Sequence, residues 1–379
     1  MHAPATLDDA AALLREFAAS GRTVGVTGAD APTGPAAVAV DETVSMRALD
    51  AILEYTPADQ IVTVQAGVTI ARLQAALRKE RQRLALDPPD PERTTVGGAV
   101  ASASYGPLRT RYGTAKDTIV GMTIVRADGT VARGGGKVVK NVAGFDIPKL
   151  MIGTYGTLAM IGTVTFRLHP LPQAVDDVIF PACDARALRE LCAAMTQAQL
   201  EPSAVYAVYD GKQYACCVRF EGFPDGVAAQ RATLLGLAKR ASDESHALEP
   251  EHEVARTRGA LQVKIAAPAS LLDELHTHAV APLHRALEDA RAVVYPTVGV
   301  AFVSGESPDA ARTLAVLEAA RTWTESVGGT LIASEAPPEI RGAFDAWGTP
   351  PPAFALMRAL KERFDPQRRL NPGGFVGGL

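Results

Sequence analysis

Three strings carry the residues best able to hold a large charged ligand. They are PPDPERTTVGGAVASASYGPLRTRYG (88–113), KNVAGFDIPKL (140–150) and IGTYGTLAMIGTVTFRLHP (152–170). In the first, Thr95-Val96-Gly97-Gly98 is followed by small residues from Ala99 to Ser104. Gly97 and Gly98 remove side chains where backbone amides can face an anion, and Ser102 and Ser104 add hydroxyl donors, the makings of a phosphate nest. A Gly-Gly step before Ala and Ser also reads as a packed helix start. The string is neither a GxxxxGK[ST] loop nor a GxGxxG turn opening a helix. Of the 33 glycines, 13 fall between Gly97 and Gly162, more than twice the density of the whole chain. Glycine permits positive φ and close approach to the backbone. The cluster therefore fits either a run of tight turns or a surface on which main chain lies against a ligand.

Other chemistry is poorly represented. The 379 residues carry a formal charge of −4, with 47% apolar and 21% charged side chains. That is an ordinary globular composition, with no positive excess to neutralise phosphates, so nucleic acid is not an expected partner. The uncharged stretch between Lys149 and Arg167 holds three Gly and four Thr, so it reads as strand and turns rather than a membrane span. No basic start or apolar core marks a secretory signal at MHAPATLDDA. The four cysteines (Cys183, Cys192, Cys216, Cys217) form no CxxC, so reduced, buried thiols in a cytoplasmic protein are expected. His276 and His278 are two apart in an expected helix and point about 200° apart, so they cannot chelate one ion. His284 returns to the first face but over ~10 Å along the axis. Lys140 and Asp146 read as a structural ion pair.

The elements that must position these strings alternate between strand and helix. Leu7, Ala10, Ala11, Leu14 and Phe17 repeat at helical spacing between a Thr6 cap and Gly21. Strands are expected at 23–27, 37–40 and 61–65. A helical piece holds Met46, Leu49 and Leu53, and a helix capped by Thr69 presents Ile70, Leu73 and Leu77. A hairpin turns at Ala127-Asp128-Gly129, and a long strand runs over 157–168. His169-Pro170-Leu171-Pro172 cannot extend a ladder and marks a boundary. Beyond it the order strand, helix, hairpin, helix occurs twice (175–240 and 260–327, the second with a helix over 270–289), which predicts an antiparallel sheet backed by helices.

In this order the three strings resemble the FAD-binding domain of the vanillyl-alcohol oxidase and p-cresol methylhydroxylase (PCMH) superfamily, over about residues 6–172. KN-x-x-G-[FY]-D and the closing Arg369-Leu370-Asn371-Pro372-Gly373 are similar to its glycolate oxidase and D-lactate dehydrogenase branch. The short second domain resembles the smaller FAD-binding subunit of glycolate oxidase. The resemblance implies an α+β fold: a two-subdomain PCMH-type FAD-binding domain over 1–172, a ferredoxin-like α/β cap with an antiparallel sheet over 173–345, and a tail over 346–379 returning to the FAD domain. It implies that Thr95, Val96, Gly97 and Gly98 touch the flavin ring and pyrophosphate, with Ala101, Ser102, Ser104 and Gly106 continuing along the chain. Arg111, Tyr112 and Gly113 would hold the next turn, Tyr155, Gly156, Ile161 and Gly162 would lie near the adenosine, and Asn371 would reach the flavin side.

Departures shape the expected function. The family's Arg-Gly-Gly-Gly-Ser/Thr loop is replaced by Thr27-Gly28-Ala29-Asp30-Ala31-Pro32. A carboxylate ~4 Å from a phosphate costs about 1 kcal/mol in water and nearer 4 in a partly buried site. The cap lacks the catalytic relatives' His-x-Gly-Asp-Gly-Asn-x-His string, which supplies a metal and a base. Residues 1–172 hold only His2 and His169 and no Cys as attachment points, so FAD is expected to be non-covalent. The expected role is the FAD-binding subunit of a glycolate oxidase complex. Its partners would be a larger FAD-containing subunit and an iron–sulfur subunit, its substrate a small 2-hydroxy acid, and its place the cytoplasm or, through partners, the inner membrane face. The alternatives are a scaffold that has lost FAD and a free-standing FAD-dependent 2-hydroxy-acid dehydrogenase.

Overall fold

Helix α1 (Leu7–Ser20) begins where Thr6 and Asp9 cap each other: the Thr6 hydroxyl accepts from the Asp9 amide and the Asp9 carboxylate from the Thr6 amide, both at 3.1 Å. It ends at Gly21 with φ +77°. Ala10, Ala11, Leu14 and Phe17 share its buried face and form a core with Val24, Val44, Leu49 and Met160. The computed structural model describes residues 1–28, 35, 39–136, 145–237 and 259–379, and the chain divides into two compact units. The first comprises 1–106, 113–171 and 349–379, and the second 107–112 and 172–348.

In the first unit β1 (Val24–Thr27) and β2 (Glu42–Ser45) pair in parallel. An antiparallel sheet is built from β3 (Ile52–Thr56), β4 (Ile61–Gln65), β6 (Ile119–Val125), β7 (Val131–Gly135) and β8 (Met160–Arg167), in the order β3-β4-β8-β6-β7. The two-residue strands β5 (Gln82–Arg83) and β9 (His169–Pro170) pair with each other. Helix α2 (Ile70–Arg78), capped by Thr69, buries Ile70, Leu73 and Leu77. Helix α3 (Val96–Ala101) follows the Thr95 cap, and α4 (Ile147–Met151) follows Asp146. A tail helix, Phe354–Phe364, closes the unit.

The second unit has one seven-stranded antiparallel sheet. Its strands are β10 (Ala174–Cys183), β11 (Ala204–Tyr209), β12 (Tyr214–Gly222), β13 (Leu261–Ala266), β14 (Glu288–Tyr295), β15 (Val300–Glu306) and β16 (Thr330–Glu335), in the order β10-β12-β11-β14-β15-β13-β16. Helices α5 (Ala185–Gln197), α6 (Pro224–Leu237) and α7 (Ala310–Ser326) contribute Leu188, Leu234 and Leu317 to its core. The whole is α+β.

Two local expectations fail, and a third lies half outside the described residues. No helix forms at Met46–Leu53: Met46 donates to Thr27 O (2.8 Å), Leu49 O accepts from the Gly67 amide (2.8 Å) and the Ala51 amide goes to Gln65 (2.8 Å). These long-range bonds take the groups a helix would need, and β3 follows. The strand beside β1 is Glu42–Ser45; of the strand expected at 37–40, residues 37 and 38 lie outside the described residues, and 39 and 40 are not in a strand. The helix expected over 270–289 is interrupted by a π-turn at His276–Val280 just ahead of Pro282, and ends at Ala286. Proline lacks the amide that an i→i−4 bond requires, and β14 starts at Glu288.

Candidate cofactor site

Thr95 opens α3 with an extended backbone, and its hydroxyl accepts from the Gly98 amide at 3.1 Å. The Val96 amide goes to Val68 O and the Gly97 amide to Ala66 O, both at 2.8 Å, and the Ala99 amide closes the first helical turn on Thr95 O. The reading of Gly97 and Gly98 as free anion donors is therefore corrected, because every amide at this helix start is already spent. What the glycines supply is room. A Cβ at Gly97 would sit 2.8 Å from the Ala66 Cβ, so Gly97 lets α3 seat on the end of β4. A Cβ at Gly98 would meet only the Thr95 hydroxyl within 4 Å.

That empty side of Gly98 belongs to a narrow slot of about 30 Å³, partly open to solvent. Thr95, Gly97, Gly98, Ala101, Tyr155, Gly156 and Ile161 line it, seven of the residues singled out from sequence. Val26, Gly28, Met46, Ala66, Ala159 and Met160 complete it. Sequence reasoning missed these six as lining residues; the signal for Gly28 was its place in the family's first phosphate loop. The Tyr155-Gly156 turn has φ +52° and +71°, a left-handed pair that Gly156 adopts without strain and Tyr155 at a cost. Burial pushes the Tyr155 phenol up to about 12, so it stays protonated. The Asn371 amide oxygen accepts from the Val26 amide (3.0 Å), and its nitrogen donates to Tyr155 O (2.7 Å). Asn371 thus joins two of the slot's segments from outside the lining.

The remaining sequence-derived candidates lie elsewhere. Val96 is buried beneath α3, and the Ser102 hydroxyl donates to Gly98 O (2.7 Å). Ser104 bonds back to Ala99 O, and the Gly106 amide goes to Asp87. Gly113 turns against Asp117, and Gly162 packs on Leu7. Arg111 and Tyr112 fall in the second unit. There Arg111 pairs with Glu201 (3.4 Å), Tyr112 approaches Glu221 (3.5 Å) and Thr110 meets Thr297 (3.3 Å), beside a cavity of about 390 Å³. Of the expected pair Lys140–Asp146, Lys140 lies outside the described residues, while Asp146 caps α4 and pairs with Lys149 at 2.7 Å. Residues 29–32 of the altered loop also lie outside them.

The described histidines of the second unit are engaged in packing. His276 Nδ1 is 2.8 Å from the Tyr214 hydroxyl, and His278 stacks on Trp323. His276 and His284 both pack edge-on against Tyr209, at ring distances of 5.0 and 5.1 Å. Among the described residues no group of three His, Cys, Asp or Glu side chains forms a metal site, and no helix is long and apolar enough to cross a membrane.

Known proteins share this architecture. Residues 1–135 match the family model of an FAD binding domain, and residues 348–374 that of the C-terminal domain of FAD-linked oxidases. The chain is 31% identical over 198 residues to glycolate oxidase subunit GlcE of Escherichia coli K12, covering 52% of this chain and 55% of that protein. It is 36% identical over 140 residues to D-lactate dehydrogenase of Anaerostipes hadrus, 36% of this chain and 29% of the other. An alignment of 414 residues at 24% identity relates it to an uncharacterized FAD-linked oxidoreductase of Mycobacterium tuberculosis, Rv2280, covering 99% and 90%. The chain spans about half the length of GlcE. Alkyldihydroxyacetonephosphate synthase has the same fold, with a TM-score of 0.70 at 19% identity over 98% of this chain and 76% of the synthase. Residues 1–135 are thus an FAD binding domain, the chain resembles the FAD-linked oxidases of the vanillyl-alcohol oxidase and p-cresol methylhydroxylase type, and its cofactor is FAD. The lining suits contact with part of such a group: small residues and the open side of Gly98 leave room for a flat ligand to approach, while the slot itself encloses only about 30 Å³, far less than a dinucleotide.

Proposed function

We propose that this chain is the FAD-holding subunit of a glycolate oxidase-type complex that oxidises a small 2-hydroxy acid, glycolate to glyoxylate, and passes electrons to an iron–sulfur partner. The observation that carries the reading is the slot lined by small residues of α3 and by the Tyr155-Gly156 turn. The match to GlcE supports the glycolate class. Thr95, Gly97, Gly98, Ala101, Tyr155 and Gly156 would hold FAD. When bound, FAD supplies the acceptor for the hydride leaving the α-carbon of the hydroxy acid. The chain's own part is to shape the slot, keep the Tyr155 phenol neutral beside it and exclude side chains from the surface the cofactor needs.

The proton of the substrate hydroxyl needs a base, and His276, His278 and His284 are held against Tyr214, Trp323 and Tyr209. The base is therefore assigned to a partner chain. FAD is held non-covalently. The first unit contains no Cys, its two His are His2 and His169, and the His2 ring is bound to Glu42 at 2.7 Å.

The purified chain should be yellow, and acid precipitation should release the flavin into the supernatant. It should reduce an artificial acceptor with glycolate only after its larger flavin and iron–sulfur partners are added. A colourless chain that takes up no added FAD would instead be a scaffold. Turnover of glycolate by the isolated chain would remove the partner base.

A further inference from the structure

The tail helix Phe354–Phe364 carries a lysine with no solvent exposure. The Lys361 ammonium donates to Thr157 O (2.6 Å), Asp365 Oδ2 (2.7 Å) and Leu370 O (3.0 Å), which uses all three of its protons. Asp365 is equally buried, and accepts from the Leu370 amide (2.8 Å) and the Arg369 amide (3.0 Å). Moving two charges out of water is costly, and apolar replacements of such pairs are often as stable or more so. Stability alone is a weak reason for this pair to be there.

Its connections give a stronger one. Leu370 lies beside Val24 of β1: the Val24 amide goes to Arg369 O (2.8 Å) and the Asn371 amide to Val24 O (2.9 Å). Asn371 then bridges Val26 and Tyr155, both of which line the slot. Thr157, gripped by Lys361, lies two residues beyond Tyr155. A Cβ at Gly156 would sit 2.6 Å from the Asn371 amide nitrogen, so the bridge and the turn are in close contact. One ion pair therefore ties the tail to both segments whose spacing sets part of the slot.

We propose that Lys361 and Asp365 are positioning residues for the cofactor: they fix Leu370, hence Asn371, and so hold β1 and the Tyr155-Gly156 turn at the separation FAD requires. The inference rests on the slot being the FAD site. Neither residue touches the cofactor; both act through Asn371.

The test uses the full chain freed of flavin, with four variants: Lys361→Met, Lys361→Met/Asp365→Leu, Asn371→Ala and the triple variant. The readouts are the dissociation constant for added FAD, the apo melting temperature, and hydrogen exchange of peptides spanning 153–160 and 366–374. Lys361→Met leaves a buried carboxylate unpaired and should lower the melting temperature. The double variant should regain much of that loss, yet bind FAD roughly tenfold or more weakly, as positioning without the pair is lost. Asn371→Ala, with the clasp intact, should weaken FAD by a similar factor. The triple variant should be no weaker than either, because the two act in series. The double variant should also exchange faster at 153–160 without FAD. Wild-type FAD affinity in a double variant that melts like the parent would overturn the proposal, as would fully additive losses or unchanged exchange. If the parent chain binds no FAD the slot reading fails, and the exchange comparison alone decides whether the clasp positions the turn.

Discussion

Gly98→Ala separates folding from cofactor binding, because the structure gives the two effects opposite signs. In the fold the added methyl meets only the Thr95 hydroxyl, at 3.1 Å, and needs that side chain to give by a few tenths of an ångström. Against that small cost, replacing a helical glycine by alanine is worth about 0.5–1 kcal/mol. The apo melting temperature should therefore stay within a few degrees of the parent, since 1 kcal/mol shifts a unit of this size by about 2–4 °C. For the cofactor the methyl stands in the slot. A ligand in contact with the Gly98 backbone must lift or force the helix back, an overpacking cost of about 1–3 kcal/mol. That corresponds to roughly 5- to 150-fold in the dissociation constant. Gly98→Asp adds a carboxylate near a dianionic ligand, about 1 kcal/mol more if the site stays wet and nearer 4 if it is partly buried. The assay is titration of the flavin-free chain with FAD, followed by flavin fluorescence, beside a thermal melt. A folded Gly98→Asp chain that keeps its flavin through purification would refute the assignment of this slot.

Three further outcomes follow from named contacts. Gly156→Ala puts a side chain at φ +71°, costing about 1–2 kcal/mol, and drives the Asn371 amide off Tyr155 O, about 1 kcal/mol more. The first unit should lose several degrees of melting temperature together with FAD affinity; an unchanged melt would show that the bridge carries no load. Burial lowers the pKa of both His276 and His284. The folded unit holds them neutral while the unfolded chain protonates them below about pH 6.5, so their stabilisation is complete above that value and lost as pH falls through it. The melting temperature of the second unit should drop on acidification, and His276→Gln/His284→Gln should flatten the profile; an equally steep profile would assign the effect elsewhere. Burial pushes Cys192 and Cys217 up to about 12, and Cys183 and Cys216 upward as well. A disulfide reagent at mildly alkaline pH should find no fast thiol until denaturant is added, and one rapid equivalent under native conditions would contradict that.

The parts of the fold legible in sequence are those decided locally. Thr6, Thr69, Thr95 and Asp184 each cap the helix that follows them, and Asp128-Gly129 and Asp210-Gly211 each turn a hairpin, because these residues satisfy backbone groups within three positions. Illegible parts are decided at a distance. Met46 and Leu49 have helical spacing, yet the Met46 amide is claimed by β1 and the Leu49 carbonyl by Gly67, leaving a single turn bond from the Leu49 amide to Met46 O. Arg111 and Tyr112 immediately precede Gly113 in the string, yet they pair with Glu201 and Glu221 in the other unit. No local pattern announces a partner about a hundred residues away.

The same distinction applies to the glycines. A Gly-Gly step at a helix start suggests donors, since four amides there lack intrahelical partners. Here those amides are satisfied by Val68, Ala66 and Thr95, the first two supplied by the chain at and just after the end of β4. These bonds across the fold thus turn a donor site into a space-making one. The consequence is physical. A surface whose amides are already bonded recognises a ligand by shape and contact area, so affinity at this part of the slot should depend on one methyl group more than on salt. Retention of FAD by the Gly98→Ala chain should fall, while FAD binding to the parent should weaken little with added salt. A steep salt dependence would return the weight to charged groups outside α3.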